Sequence, residues 1–433
     1  MNTKNNVVKA ANIVKSNVST GLKSSIASNS VSKASNSVPK ASNSVSKVNS
    51  KQSVLDTEEM KKRTSSILNS MRENKKMIVM AIIAFFIFYL LYTYSRENRV
   101  RDAITEMSSV GNYVSVNSKV NSLDNRELKL CDFYVNSAFR PYLVKNQLFE
   151  YCDLEITKQI IKSGVRCMYV DIYNSNMTAD ANPVITNGIP EGQWKFTLNT
   201  ILFDDFCKVI GSSVFSPGYV NNTSDPFILL LNLNVDGNIR CLNKIKRIIY
   251  SRFKSFLLDN RYTYQSKNIP ETPIKDLMNK IVIITSGGYE NSELEELVNY
   301  SWNRQELNQI SYGALDPNVK ETSGIKLNSN ELKEFNKNNL TIVLPETFSL
   351  YTYNYNPSYF LAAGCQFVCL NYQKVDSNLS YNITRFRTDS FIPKPVSQRG
   401  SSKPIKTKIQ FQKSQSELDD TETNIPHNLT CPK

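Results

Sequence analysis

From about residue 129 to residue 395 the chain alternates short apolar runs with amphipathic segments. The amphipathic segments predict helices at 153–163, 197–210 and 238–258. The apolar runs predict strands at 131–137, 166–172, 183–187, 226–233, 280–285 and 365–371. Strands separated by helices are typical of parallel βαβ units, and the run 226–233 is apolar enough to be buried on both faces. Six or more such units in about 270 residues predict an α/β fold, a (β/α)8 TIM barrel.

A different apolar pattern lies ahead of this region, at 77–94 (MIVMAIIAFFIFYLLYTY), with no charge, proline or glycine. A helix needs about 17–25 such residues to cross a bilayer, so this segment predicts a single transmembrane helix with the membrane as its partner. A buried core helix is the alternative, but charged residues flank the segment on both sides. The 76 residues ahead of it argue against a cleavable signal peptide.

The charges around 77–94 predict its orientation. Six basic residues precede the segment closely, whereas only Arg96, Arg99 and Arg101 follow it closely. Because basic residues are retained on the cytosolic side, this asymmetry predicts a cytosolic N-terminus and a lumenal or external barrel.

The two ends of the chain have low-complexity or polar sequences. Residues 1–76 carry 14 Lys and Arg against four Asp and Glu, and the unit ASNSVSK at 27–33 recurs twice with one change. Such a composition buries too little apolar surface to fold, which predicts a disordered basic arm. The arm is interpreted as a solvated tether, with anionic lipid binding as the alternative. Its lack of aromatic residues argues against nucleic acid. Residues 95–128 are predicted as a juxtamembrane stalk and 399–433 as a disordered tail.

Histidine and cysteine usage restricts the chemistry that the chain can perform. The single histidine, His427, lies in the polar tail, so the apolar middle of the chain has no imidazole for proton transfer. The eight cysteines all follow residue 130 and form no CxxC pair, which argues against a zinc site. We expect buried free thiols, with disulfides as the alternative.

Several stretches carry a family resemblance, and they occur in one order and spacing. They are 131–143 (CDFYVNSAFRPYL), 164–174 (GVRCMYVDIYN), 226–234 (PFILLLNLN), 271–285 (ETPIKDLMNKIVIIT) and 355–373 (YNPSYFLAAGCQFVCLNYQ). Together they resemble the X and Y halves of the phosphoinositide-specific phospholipase C barrel. The resemblance implies a barrel at 129–398, composed of an X-like half at 129–286, a linker at 287–340 and a Y-like half at 341–398.

The same resemblance implies that the catalytic histidines are missing. The family motif Ser-His-Asn-Thr-Tyr-Leu corresponds to 137–143, which places Phe139 at the general-base histidine. The motif Pro-x-x-x-His-Gly corresponds to 183–188, which places Asn187 at the second histidine. Neither a phenyl group nor an amide shuttles protons near neutral pH. No catalytic residue is therefore predicted.

The resemblance also implies that the family's calcium site is lost. Arg140 stands at the calcium-ligating asparagine, and Tyr169 and Asn232 stand at two metal-binding glutamates, so that Asp171 is the carboxylate that remains. Calcium takes about six to eight oxygen ligands, several of them carboxylates. We therefore expect no metal and no other cofactor. The two lysines that hold phosphate in the family correspond to Ile284 and Ser286.

The residues left at the equivalent positions define a candidate binding cleft. Tyr355 belongs to a match with the family's Asn-Tyr-x-Pro, and Arg385 to an Arg-Phe pair that contacts the head group in the family. The predicted cleft comprises Arg140, Asp171, Asn187, Asn232, Tyr355 and Arg385.

Two functions are compatible with this pattern. The first is a catalytically inactive, membrane-anchored phospholipase C-like barrel that acts as a binding or structural membrane protein. Its ligand is left open between an anionic head group, held by Arg140 and Arg385, and a protein partner. The alternative is an active phosphoric diester hydrolase with a non-standard catalytic set drawn from Tyr169, Tyr173 and Asp171.

Overall fold

A computed structural model describes residues 60–66, 75–111, 120, 125–315, 327–346 and 352–400. The chain divides into two compact units, Met1–Phe85 and Phe86–Lys433. Residues 60–66 are helical. Lys75 and Lys76 begin a long helix. The other residues of the predicted disordered arm, 1–59 and 67–74, lie outside the described residues, as do the tail beyond residue 400 and His427.

The helices alternate with strands along the second unit, as the sequence pattern predicts. Asp153, Asn238 and Asp376 cap the amino ends of three of them through side-chain oxygens that accept backbone N–H groups. The α-helices that follow residues 60–66 are α1 (Lys75–Gly111), α2 (Leu154–Lys162), α3 (Phe203–Ser213), α4 (Ile239–Phe253), α5 (Ser329–Phe335), α6 (Ser358–Ala362) and α7 (Ser377–Arg385).

The strands form one large sheet and one two-stranded ribbon of β4 with β5. They are β1 (Phe133–Phe139), β2 (Cys167–Asn174), β3 (Pro183–Ile185), β4 (Gly188–Ile189), β5 (Trp194–Lys195), β6 (Ile201–Leu202), β7 (Phe227–Asn234), β8 (Ile281–Thr285), β9 (Tyr300–Ser301), β10 (Gln309–Ser311), β11 (Ile342–Leu344), β12 (Phe367–Leu370) and β13 (Phe391–Pro393).

Eight of these strands are parallel and lie in the order β10-β11-β12-β1-β2-β7-β8-β9. The α/β prediction is therefore confirmed, as a curled parallel sheet. The predicted closed barrel is not formed by backbone pairing, because β9 and β10 are not hydrogen-bonded to each other within the described residues. A side chain spans this seam instead: Asn308 Nδ2 donates to Tyr300 Oη over 3.0 Å and to Leu340 O over 2.8 Å.

Apolar side chains fill both faces of the sheet, since side chains alternate between faces along a strand. One core cluster contains Val135, Cys167 and Ile228, which lie on the concave side. The other contains Ala138, Met168 and Leu229, which pack against the helices. β2 is buried over its whole length, as expected for a parallel strand covered on both faces. The seven cysteines in the described part of the chain are buried free thiols, as predicted.

Helix α1 is longer than the predicted transmembrane segment. It is long and apolar enough to cross a bilayer, and the side chains of its apolar stretch are exposed. The helix does not end near residue 94, where a stalk was predicted, but continues to Gly111. Ala103 and Met107 are buried in the core cluster that lines the helix side of the sheet. Part of the predicted stalk is therefore a packed helix.

Three sequence predictions require correction. The predicted linker 287–340 contains two strands of the sheet, β9 and β10. The predicted strand 183–187 is the short β3, which pairs antiparallel with β2 and is not one of the eight parallel strands. The predicted helix 197–210 begins only at Phe203, since Ile201 and Leu202 form β6.

Candidate functional site

Four of the predicted cleft residues lie together at the mouth of the sheet, the end where the parallel strands finish. Asp171 and Asn232 are direct partners in the register of β2 and β7. Arg140 follows β1 immediately, and Asn187 follows β3 by two residues. The carboxyl ends of the strands carry the ligand sites in folds of this type, because the connecting loops meet there.

A buried ion pair occupies the centre of this group. Arg140 Nε donates to Asp171 Oδ2 over 2.5 Å, and Arg140 Nη1 donates to Gln147 Oε1 over 3.0 Å. The exposed fractions of the two side chains are 4% and 1%. Arg140 also has a positive φ of 45°, an uncommon backbone conformation for a residue other than glycine. The turn after β1 therefore directs this guanidinium inward, toward the carboxylate.

The charges in this group stabilise each other. Burial disfavours the charged guanidinium, but Asp171 more than offsets this, so the pKa of Arg140 lies above its ordinary value. Burial, followed by the nearby Asp171 charge, raises the pKa values of the Tyr142 and Tyr169 hydroxyls well above their ordinary range. These phenols stay protonated near neutral pH, so neither is a general base.

Amide side chains complete the hydrogen-bonding around the ion pair. Asn232 Nδ2 donates to Asp171 Oδ1 over 2.6 Å, so both carboxylate oxygens accept hydrogen bonds. Gln147 Nε2 donates to Asn371 Oδ1 over 2.7 Å, and Asn187 Nδ2 donates to the backbone carbonyl of Gln147. Gln147 thus connects the loop after β1 to the end of β12 and to the segment after β3.

Stacked aromatic rings lie at the position that the resemblance assigns to the general base. The Phe139 ring stacks on Tyr169 with 5.3 Å between centroids, and Tyr169 lies 5.9 Å from Trp302. The Arg140 guanidinium lies 4.7 Å from the centroid of the Phe139 ring. Phe139 is fully buried. The base position is therefore part of the apolar core and carries no ionisable group.

The remaining two cleft residues do not join this group. Tyr355 is buried, and its hydroxyl donates to the carbonyls of Val343 and Cys369 over 3.1 and 2.9 Å. Arg385 lies over the ring of Tyr134, 5.2 Å from its centroid, and that ring belongs to the core cluster on the helix side of the sheet. The prediction that Arg385 shares a cleft with Arg140 is therefore wrong.

The donor set at the mouth does not fit a calcium ion. Asp171 already accepts hydrogen bonds on both oxygens, and the other three positions of the family's metal ligands hold a guanidinium, a phenol and an amide. Calcium takes about six to eight oxygens, with carboxylates among them. Within the described residues, no three His, Cys, Asp or Glu side chains lie close enough together to hold a metal ion.

Motif residues outside the mouth have structural roles. Gln366 Nε2 donates to the carbonyls of Cys131, Asn336 and Asn339, which ties β12 to the segments before β1 and β11. The buried Arg166 donates from Nη2 to the carbonyl of Asn222 over 2.5 Å. Gln147 was not predicted, since one polar residue in a loop gives no periodic signal. In the sequence, the one feature that could have pointed to Gln147 is its position seven residues after Arg140.

The comparisons with known proteins agree with this fold. The protein is of the class that has a parallel α/β domain with a cluster of polar side chains at the carboxyl ends of the strands. Residues 127–286 match the family described as "Phosphatidylinositol-specific phospholipase C, X domain", and residues 298–397 match the corresponding Y domain. The chain belongs to the phosphatidylinositol-specific phospholipase C family. The Y match begins at residue 298, so much of the predicted linker belongs to the Y domain.

Individual relatives are distant and much longer than this chain. The 1-phosphatidylinositol 4,5-bisphosphate phosphodiesterase beta-1 of Bos taurus is 23% identical over 363 residues, which cover 64% of this chain and 28% of that protein. The eta-1 phosphodiesterase of Homo sapiens is 25% identical over 156 residues, 36% of this chain and 8% of that protein. The crystal structure of L. pealei PLC21 is similar with a TM-score of 0.51 at 21% identity, covering 64% of this chain and 38% of that one.

Proposed function

We propose that this protein is a membrane-anchored phospholipase C-like domain without catalytic activity, which acts as a binding or structural protein. The supporting observation is the buried Arg140–Asp171 pair at the mouth, beside Phe139 and Asn187 at the positions of the family's histidines. General acid–base groups contribute about 10²–10⁴-fold to rate, and cation stabilisation of the developing phosphorane charge adds to this. A mouth without acid–base groups and without a cation for the phosphorane charge loses most of that rate enhancement.

The alternative, an active phosphoric diester hydrolase as the names of the relatives describe, requires other groups to transfer protons. Tyr169 and Tyr173 are the phenols nearest to Asp171 along β2, and burial raises the pKa of both. Asp171 is held by Arg140 and Asn232. This arrangement favours the inactive form, because none of the three side chains is available to exchange a proton near pH 7.

The contacts of the two arginines favour a structural or protein-binding role over head-group binding. Arg140 is buried and paired with Asp171, so a phosphate would have to displace a carboxylate that already receives two hydrogen bonds. Arg385 packs on Tyr134, on the other side of the sheet. We therefore propose that this domain organises a protein or the bilayer surface without binding a head group through these two side chains.

Two groups of exposed apolar side chains support attachment to a bilayer. The first is the apolar stretch of α1, which is long enough to span it. The second comprises Phe149 and Trp194, each 66% exposed, and Leu198. The loops that carry these residues are joined by hydrogen bonds from Phe149 N to Phe196 O over 2.7 Å and from Leu198 N to Glu150 O over 2.9 Å. Clustered exposed apolar residues are typical of membrane or protein contact sites.

A turnover assay tests the catalytic part of the proposal. The full chain is reconstituted in liposomes that contain phosphatidylinositol or its 4,5-bisphosphate, with and without calcium, and released inositol phosphate is measured. We expect no turnover above that of the boiled protein. Metal-dependent turnover that Asp171→Ala abolishes and Arg101→Ala leaves intact would instead support the alternative hydrolase.

Membrane extraction and protease protection test the anchoring. We expect the full chain to stay in the membrane pellet at alkaline pH and the domain after residue 94 to be protected in sealed vesicles, with the N-terminus cytosolic. Release into the supernatant would contradict a spanning helix. Digestion of the domain in intact vesicles from the cytosolic side would reverse the proposed orientation.

A further inference from the structure

Helix α1 makes three contacts with the loop that connects β1 to α2, residues 140–153, which we call the mouth loop. The ring of Tyr92 meets that of Tyr151 edge to face, with 5.3 Å between centroids. Arg96 Nη2 donates to Asp153 Oδ2 over 2.8 Å. Arg99, seven residues after Tyr92 and three after Arg96, binds both carboxylate oxygens of Glu150, with Nε 3.1 Å from Oε1. The contacts lie along one stripe of the helix, at spacings of three and four residues.

The Arg99–Glu150 pair also shapes the mouth loop itself. The Glu150 side chain is fully buried, whereas that of Arg99 is 42% exposed. Besides Arg99, the carboxylate accepts hydrogen bonds from the backbone amides of Asn146 and Tyr151, over 3.2 and 3.0 Å. A buried carboxylate that loses its cationic partner is costly. Arg99 therefore stabilises the folded conformation of this loop.

The same loop fills the mouth from its other end. Arg140, its first residue, pairs with Asp171, and Gln147 binds Arg140, Asn371 and Asn187. Only two residues separate Gln147 from Glu150. A displacement of Glu150 toward solvent therefore pulls on the residue that connects the loop to the strand ends.

We propose that α1, through Tyr92, Arg96 and Arg99, acts as a clamp that holds the mouth loop closed over the strand ends. When these contacts break, the mouth opens and Arg140 separates from Asp171. When they form, the mouth loop fills the mouth. This inference goes beyond the proposed function, because it depends neither on catalysis nor on lipid binding. It gives the helix a conformational role in addition to anchoring.

A thiol within the mouth loop reports on its opening. Cys152 is fully buried, and its backbone amide donates to Asn199 Oδ1 over 2.7 Å. Burial raises the pKa of this thiol to about 12, so it reacts slowly with maleimide while the loop is closed. Cys207 on α3 and Cys241 on α4 are also buried and lie outside the loop, which makes them internal references.

The experiment measures maleimide labelling of each cysteine by mass spectrometry, on the full chain in phosphatidylcholine nanodiscs. Arg99→Ala is compared with Arg101→Ala, which removes an exposed arginine from the same helix. We expect Arg99→Ala to label Cys152 about tenfold faster than the wild type, with Cys207 and Cys241 unchanged, as local opening predicts. Arg101→Ala should match the wild type at all three positions.

A second variant covers the case in which Arg99→Ala does not fold. Tyr92→Ala combined with Arg96→Ala removes the other two contacts and leaves Glu150 paired, and we expect Cys152 to label about threefold faster. An unchanged rate at Cys152 in the folded variants overturns the clamp. Equal acceleration at Cys152, Cys207 and Cys241 also overturns it, because α1 would then stabilise the whole domain and not the loop.

Discussion

Arg140 donates to Asp171 over 2.5 Å, and both side chains are buried at the carboxyl ends of the strands. The guanidinium thus lies where the family resemblance implies a calcium ligand and supplies its own positive charge to the remaining carboxylate. The negative charge of Asp171 is therefore balanced by a side chain of the protein itself. A site of this kind needs no ion for its stability.

The first prediction concerns the cost of breaking this pair. Arg140→Ala leaves Asp171 buried with amide donors but no cation, and removal of one partner from a buried ion pair costs about 3–5 kcal/mol. We expect the urea midpoint of the domain to fall, with an unchanged dependence on urea concentration. Asp171→Asn in the Arg140→Ala background should restore part of the loss, because a neutral amide is less costly to bury.

The matched control for that pair is Arg252 with Asp204, an exposed ion pair between α4 and α3. Exposed pairs contribute about 0–1 kcal/mol, so Arg252→Ala should have a small effect on the urea midpoint. Equal losses for Arg140→Ala and Arg252→Ala would show that the mouth pair is no more important than a surface contact.

The second prediction concerns the return of a histidine to the base position. Phe139 is buried in the stack with Tyr169, and the Arg140 guanidinium lies 4.7 Å from its ring centroid. An imidazole placed there is desolvated and faces a positive charge, so its pKa in the folded state falls below the unfolded value of about 6.5. The unfolded state then binds more protons, and the free energy of unfolding of Phe139→His decreases as pH falls through that value.

Phe139→Leu separates this titration from the loss of packing. Both substitutions remove the phenyl ring and its packing, which costs at most about 3–5 kcal/mol in a core, but leucine does not titrate. The difference in unfolding free energy between the two variants should grow from pH 8 to pH 5. Parallel curves over that range would contradict the placement of Phe139 beside Arg140.

The sequence predicts the long strands well and the short ones poorly. β2 and β7 each have eight residues, most of them apolar, and their predicted and observed bounds differ by at most two residues. β9 and β10 have two and three residues, too few to show a periodicity. They lie in polar sequence, although Tyr300 of β9 and Ile310 of β10 are buried in the two core clusters.

The sequence could predict those site residues that lie at the ends of strands. Asp171 and Asn232 lie at equivalent heights on neighbouring parallel strands, so their meeting follows from the register. Gln147 could not be predicted, because its position depends on how the mouth loop folds back between α1 and the strands. The same holds for Arg99, whose role depends on a helix that was expected to end at residue 94.

The third prediction concerns calcium. The carboxylate and amides at the mouth are engaged with each other, so calcium should not shift the thermal midpoint of the wild type. The triple variant Arg140→Asn, Tyr169→Glu, Asn232→Glu places three carboxylates around the mouth, and its stability should increase with calcium and not with magnesium, by about 2.7 kcal/mol at 100 times the dissociation constant. A calcium-dependent increase in the wild type would contradict the assignment of Arg140 as the resident cation.

The fourth prediction concerns Lys394, which is fully buried at the end of β13, with Nζ 3.1 Å from Asn336 O. Burial lowers the pKa of this lysine to about 8. Between pH 8 and about 10.4 the unfolded state therefore binds more protons than the folded state, and this group makes the free energy of unfolding rise with pH by up to about 3 kcal/mol.

Lys394→Met removes that titration. Asn336 O keeps a donor in Gln366 Nε2 at 3.0 Å. We expect the stability of Lys394→Met relative to the wild type to be highest near pH 7 and to decrease toward pH 10 in chemical denaturation. A constant difference between Lys394→Met and the wild type from pH 7 to pH 10 would show that Lys394 titrates as an exposed lysine does.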